Sequence, residues 1–264
     1  MNGNNMLLGF IGSAHAGKDT AFQMLQNDIL QFTSPILEKD SQQERVFYNL
    51  RNASFSLTDE KNADAFFTRK FIASNKKTLN IFHLPLATEV KREFVVEMAR
   101  NNVKIDFERL MIDPPYKIQF RPHFIEIGDG RKEIDALYWL NRVNALISCL
   151  SEKFADESNY NIFSITDMRY KDEPEHQEAT YRNLFPTFTI KIECDLLIRL
   201  KRMPDKQAID YMRKFYHNNS EKNTKRIKGD FTVSNNGTPN ELHTQISEKI
   251  TPCLSYLIID WMAK

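Results

Sequence analysis

One stretch near the start constrains this chain more than any other. Met6-Leu-Leu-Gly-Phe-Ile11 is an unbroken apolar run of strand length, the pattern of a strand buried on both faces of a parallel sheet. It runs directly into Gly12-Ser-Ala-His-Ala-Gly17-Lys18-Asp19-Thr20. A helix is expected over residues 17–31, because Phe22, Leu25 and Ile29 recur at helical spacing. Strand, glycine loop and helix, in that order, turn backbone N–H groups inward. They also aim the positive end of the helix at the same spot, which suits phosphate oxygens. Lys18 adds a mobile positive charge at the β- and γ-phosphates. Thr20 offers a hydroxyl to a phosphate or to Mg²⁺. Asp19 stands where Ser or Thr is usual, and its carboxylate is expected to point away, as is the His15 ring. Gly12, Ala14, Ala16, Gly17, Lys18, Asp19 and Thr20 therefore form the candidate ATP-binding set. The bland alternative is a glycine turn beside an ordinary surface lysine.

Such a loop points to a nucleoside triphosphate but not to its fate, since motors, switches and small-molecule kinases share it. The chain has only eight glycines in 264 residues, under half the usual share of about 7%. Each is expected to meet a backbone need. Besides the first group they fall at Gly128 and Gly130, and at Gly229 and Gly237.

Further strands are expected over 78–84, 160–166, 187–193 and 231–234. Helices are expected over 85–101, 134–150, 195–203, 205–216 and 239–262. Residues 32–76 are polar and read as an insertion with two short helices. The segment 105–130 holds Pro114, Pro115 and Pro122 and reads as loop-rich. Alternating strands and helices predict an α/β fold with a mostly parallel central sheet and helices on both faces, in one domain spanning 1–264.

Lys plus Arg number 36 against 35 for Asp plus Glu. That balance argues against a general nucleic-acid coat. Three scattered cysteines give neither a disulfide framework nor zinc spacing, and suggest a reducing, cytoplasmic compartment. The apolar run at 6–11 is too short for a signal-peptide core. The run from Cys253 to Ala263 is too short to span a bilayer and contains Asp260, so no membrane segment is expected.

Five segments, in order, resemble the deoxynucleoside monophosphate kinases of tailed bacteriophages, within the P-loop nucleotide kinases. They are the Gly-Lys-Asp-Thr loop, Leu86-Ala-Thr-Glu-Val-Lys91-Arg-Glu, and Arg121 seven residues before Gly128 with Arg131 and Trp139 following. The last two are Asp167-Met-Arg169-Tyr-Lys-Asp-Glu173 and Asp230-Phe-Thr-Val-Ser-Asn235-Asn236-Gly237. The sequence departs from the family at Thr88, at Ile125 and in a shortened Gly-Asp-Gly-Arg stretch. These departures bear on base preference and acceptor contacts rather than on reaction class. The resemblance implies a three-layer P-loop kinase fold, ATP and Mg²⁺ as donor and cofactor, and a deoxynucleotide acceptor. It further implies a lid-like region over about 195–228, an acceptor-side insertion at 32–76 and, if phage-encoded, a place in the host cytoplasm. It leaves a homodimer open.

Bringing two nucleotides together concentrates negative charge, which fixed cations must balance. Lys91, Arg121, Arg131 and Arg169 are the candidates, Arg being favoured for its two-pronged fit to phosphate. Arg121 and Arg131 flank the mid-chain glycines, which favours an anion-binding loop there. Asp167 and Arg169 follow an apolar strand at the sheet edge where ligands bind. Asp167 could orient a water on Mg²⁺, an acceptor hydroxyl or Arg169. The resemblance puts Asp167, Arg169 and Glu173 on the acceptor. Trp139 could stack on the acceptor base or simply pack in the core. Arg199 and Arg202 would belong to the lid, and the Asn235-Asn236 turn would lie near the donor base. Lys18, Arg131, Asp167, Arg169 and Arg202 are thus the candidate catalytic groups. A dephospho-coenzyme A or phosphomevalonate kinase, or a nucleotide-gated binding module, could use the same loop.

Overall fold

The computed structural model describes residues 4–33, 42–49, 54–56, 64–72, 77–203, 205–214, 216 and 219–263. The chain divides into two compact units, residues 1–83 with 151–264, and Leu84–Leu150.

The first unit is built on an eight-stranded sheet. Its strands are β1 (Asn5–Ile11), β2 (Gln42–Asn49), β3 (Ser54–Ser56), β4 (Asp64–Ile72), β5 (Thr78–His83), β6 (Asn159–Met168), β7 (Thr187–Glu193) and β8 (Phe231–Ser234). They lie in the order β3-β2-β4-β5-β6-β1-β7-β8. The five strands β5-β6-β1-β7-β8 are all parallel. The fold is therefore α/β with a parallel central sheet, as the alternation of apolar runs and helical patterns predicts. β2, β3 and β4 add an antiparallel extension beside β5. This corrects the expectation of two short helices in residues 32–76. Val46-Phe-Tyr48 and Phe66-Phe67 are β-branched and aromatic residues suited to a pleated surface, and the polar residues around them hide that signal.

Helices of the same unit are α1 (Lys18–Thr33), α7 (Asp172–Tyr181), α8 (Leu196–Lys201), α9 (Asp205–Lys214), α10 (Asn219–Thr224), α11 (Pro239–Lys249) and α12 (Thr251–Ala263). Strand alternation sorts the core. Met6, Leu8 and Phe10 of β1 join Ile162, Ile190 and Ile192 against Phe22, Leu25 and Ile29 of α1 and Leu242, Ile246, Leu254 and Ile258 of α11 and α12. On the opposite face Phe163 meets Phe185, which packs on Tyr181 of α7. Gly9 leaves room there for Met168 and Gln177, which a Cβ would meet at 2.8 and 3.0 Å. The expected helix over 239–262 is two helices, because Pro252 lacks the N–H a continuous helix would use and suits the first turn of a new one.

The second unit contains α2 (Leu86–Arg100), α3 (Phe107–Ile112), α4 (Pro114–Gln119), α5 (Arg121–Ile134) and most of α6 (Tyr138–Lys153). The loop-rich reading of 105–130 is overturned. Pro114, Pro115 and Pro122 occupy the first helical turns, where a missing N–H costs nothing. Asp106 and Asp113 cap α3 and α4 by accepting from the backbone N–H of Arg109 and Tyr116. Phe94 of α2 packs against Phe120 and Phe124. Among the described residues no helix is long and apolar enough to cross a membrane.

Candidate functional site

The loop between β1 and α1 is tightly determined. Gly17 has φ of +91° and His15 +60°, a region that only Gly enters without strain. Gly17 is also pressed by Asn235, whose Nδ2 lies 2.2 Å from where a Cβ would be. At Gly12 a Cβ would meet the Ile192 carbonyl oxygen at 2.9 Å. Asn235 Nδ2 donates to the Ala16 carbonyl (2.8 Å), so the turn after β8 clamps the loop. The His15 ring is exposed and edge-on to Tyr211. Asp19 and Thr20 are exposed as well, with the Asp19 carboxylate 3.9 Å from His83 Nε2.

Lys18 folds back over this loop. Its Nζ donates to the carbonyls of Gly12 (2.8 Å) and Ser13 (2.9 Å), and the residue is 8% exposed. Burial, aided by the nearby Arg169 charge, pushes its pKa down to about 7, although Asp167, Asp19 and Glu221 pull the other way. An ammonium with so little hydration gains strongly from any anion brought to it.

The end of β6 supplies the neighbouring groups. Gly9 to Ile11 of β1 pair with Ile165 to Met168 of β6, so β6 carries one extra residue there. Such a bulge re-aims side chains, and Asp167 lies within it, inside the strand rather than after it. Glu173 is buried, and its Oε2 accepts the backbone N–H groups of Arg169 (2.7 Å) and Tyr170 (3.0 Å). In this conformation it fixes the strand-to-helix turn and so positions Arg169.

Arg199 of α8 is 2% exposed. Its Nη1 donates to the Ala14 carbonyl (3.1 Å), the Tyr211 hydroxyl (2.7 Å) and Glu221 Oε2 (2.9 Å). Its Nε is buried with no hydrogen-bond partner among the described residues. Arg202 Nη2 instead donates to the Asn235 and Gly237 carbonyls at 2.9 and 3.3 Å, and the Asp195 N–H donates to Asn236 Oδ1 (2.7 Å). Both asparagines and Arg202 therefore hold the turn together. Near the loop, Glu221 lies in the His217-Asn-Asn-Ser-Glu221 segment, which resembles a His-x-Ser-Glu piece of the same kinase family and to which the sequence assigned no role, while Tyr211 stood in no motif.

In the helical unit the expected residues are differently placed. Gly128 and Gly130 lie inside α5, not in a loop. A Cβ at Gly128 would make only ordinary contact with Val90, and at Gly130 it would meet nothing. Arg121 is the first residue of α5 and Arg131 lies in its last turn, about 15 Å apart along the axis at 1.5 Å per residue. They do not flank an anion-binding loop. Arg131 Nε donates to Glu93 (2.5 Å), which also accepts from the Tyr138 hydroxyl (2.9 Å). Glu89 is buried between Arg92 and Arg142. Lys91 is buried with its Nζ 3.5 Å from Met111 Sδ. Trp139 is 2% exposed and donates its indole N–H to the Gly128 carbonyl (3.0 Å), so in this conformation it packs.

The sequence matches no protein-family model and no curated protein.

Proposed function

We propose that the chain is an ATP-dependent deoxynucleoside monophosphate kinase with a three-layer P-loop kinase fold. The observation that carries this is the loop itself. A strand buried on both faces leads into a loop with Gly17 held at positive φ against Asn235 and Gly12 against the Ile192 backbone, beside a dehydrated lysine and a buried arginine. The loop opens at the carboxyl end of a central parallel strand, where open α/β sheets bind ligands. Helices against both faces of the parallel strands fit the same reading.

In this reading the loop amides and Lys18 hold the triphosphate of ATP. The unpartnered buried Nε of Arg199 suits a further anionic oxygen. An oxygen of the acceptor 5′-phosphate attacks the γ-phosphorus in line, the bond to the β–γ bridging oxygen breaks, and ADP leaves. Lys18 and Arg169 balance the charge of the transferring group, while the sequence resemblance assigns Arg131 and Arg202 to the same task. Asp167 orients the acceptor side, to which the sequence resemblance also assigns Lys91 and Arg121.

Mg²⁺ usually takes few protein ligands, keeping waters and phosphate oxygens. The exposed Thr20 hydroxyl in the first turn of α1 fits that need. Bound there, the ion would neutralise charge on the β- and γ-phosphates.

The test is ADP release from ATP with each deoxynucleoside monophosphate, with dephospho-coenzyme A, and with no acceptor. ADP should form with at least one deoxynucleotide. Turnover only of dephospho-coenzyme A, or only acceptor-free hydrolysis, would refute the assignment.

A further inference from the structure

Glu221 has surroundings unusual for a carboxylate. It sits on the six-residue helix α10 and is 3% exposed. Its Oε1 accepts the backbone N–H of Ala14 (2.8 Å), inside the glycine loop. Its Oε2 accepts from Arg199 Nη1 (2.9 Å), and Arg169 Nη1 lies 3.8 Å from Oε1. The Tyr211 hydroxyl completes the shell, and Lys18 is close enough for Glu221 to favour its charged form. Burial alone would raise the Glu221 pKa, but the Ala14 N–H, Tyr211 and the two arginines outweigh it and hold it down.

A main-chain N–H of a glycine loop, two guanidinium groups and a nearby lysine form a donor set for a phosphoryl group. Here one carboxylate fills that set. A phosphoryl group entering it would meet a buried negative charge at contact distance, so the two cannot share it. The helix that carries Glu221 is short and polar, and Thr224 Oγ1 makes a long 3.4 Å bond to the Arg169 carbonyl. Its departure costs the carboxylate its Ala14, Arg199 and Tyr211 partners, the same donors an incoming phosphoryl group would take over.

We propose that Glu221 is a built-in stand-in for a phosphoryl group. It occupies the anion seat of the loop in the free protein and is displaced when a polyphosphate binds. The inference rests on the loop being a phosphate site, and it adds that binding is competitive with a side chain of the same chain. Apparent affinity is then reduced by the fraction of protein in which Glu221 has left its seat.

Inorganic tripolyphosphate, which carries no base, is the probe, titrated calorimetrically into the full chain and its Glu221→Gln and Lys18→Ala variants. Glu221→Gln keeps the size and the acceptor oxygen but removes the charge, and should bind about tenfold tighter or more. Lys18→Ala should lose binding. In the unmodified protein, saturating tripolyphosphate should speed amide hydrogen exchange across residues 219–224. Equal or weaker binding by Glu221→Gln, with Lys18→Ala still defective, would overturn the proposal and make Glu221 a fixed support for Arg199. Should that variant not fold, unchanged or slower exchange at 219–224 in the unmodified protein would overturn it equally. No binding by the unmodified, folded protein would instead remove the phosphate-site reading, and this inference with it.

Discussion

The loop at Gly12–Thr20 and the helix α5 each contain two closely spaced glycines beside basic residues, yet they are built for different ends. In the loop, one glycine needs positive φ and both are pressed by neighbouring atoms. In α5 neither glycine has such a need, and the flanking arginines stand at opposite helix ends. In the loop region Lys18, Arg169 and Arg199 gather beside the loop backbone and share a single carboxylate, Glu221. In the helical unit Arg131 and Arg142 already have Glu93 and Glu89 as partners. Glycine scarcity alone therefore does not mark a site. What sets the loop apart is its setting, a buried strand before it and an amphipathic helix after it.

Substitutions can break this contrast. The largest expected effect is on activity. Lys18→Ala should lower kcat by about a hundred- to a thousand-fold in the ADP-release assay, with unfolding still cooperative. Full activity would end the assigned role. Gly17→Ala should destabilise the protein by about 2 kcal/mol or more in denaturant unfolding, through left-handed backbone strain and the clash with Asn235. Adding Asn235→Ala to Gly17→Ala removes the clash but not the strain, so the two changes should be less than additive.

The depressed pKa of Lys18 gives a pH signature of comparable size. The unfolded chain binds this proton up to about 10.5 and the folded chain only up to about 7. Stability from this group therefore rises with pH between those values and is lost as pH falls towards 7. Phosphate binding needs the charged form, so tripolyphosphate affinity should fall above pH 7, by at most about tenfold per unit. Opposite trends in the two measurements identify Lys18. Parallel trends would assign the titration to another group.

The smallest effect has the opposite sign. Gly128→Ala and Gly130→Ala should each stabilise the chain by about 0.5–1 kcal/mol, the usual gain inside a helix. Destabilisation at either position would mean that α5 unwinds in a working conformation.

The sequence made the parallel sheet legible because a strand buried on both faces favours apolar residues, as the Met6–Ile11 run of β1 shows, whereas β6 is as deeply buried yet carries Asn161, Ser164 and Thr166 among its apolar residues. β7 and β8 were legible to the residue, bounded as they are by turn and helix signals. The antiparallel strands were hidden because polar residues such as Gln42, Gln43, Glu44, Arg69 and Lys70 are interleaved with their β-branched and aromatic ones. The prolines of 105–130 misled because proline ends a helix in its interior but starts one in its first turn. The strand–glycine-turn–helix geometry of the loop was legible from the apolar run before it and the helical pattern after it, not from the glycine spacing alone. Glu221 stood only in a family-like Ser-Glu piece with no assigned role, because its partners Ala14, Arg169 and Arg199 lie 207, 52 and 22 residues away in sequence.

The central claim is that the β1–α1 loop carries the triphosphate. Titration with magnesium-ATP, followed at backbone amide resonances, tests it directly. The account predicts saturable shifts concentrated at Ser13–Thr20 and absent in Lys18→Ala. Shifts confined to other segments, or an unchanged response in that variant, would contradict it.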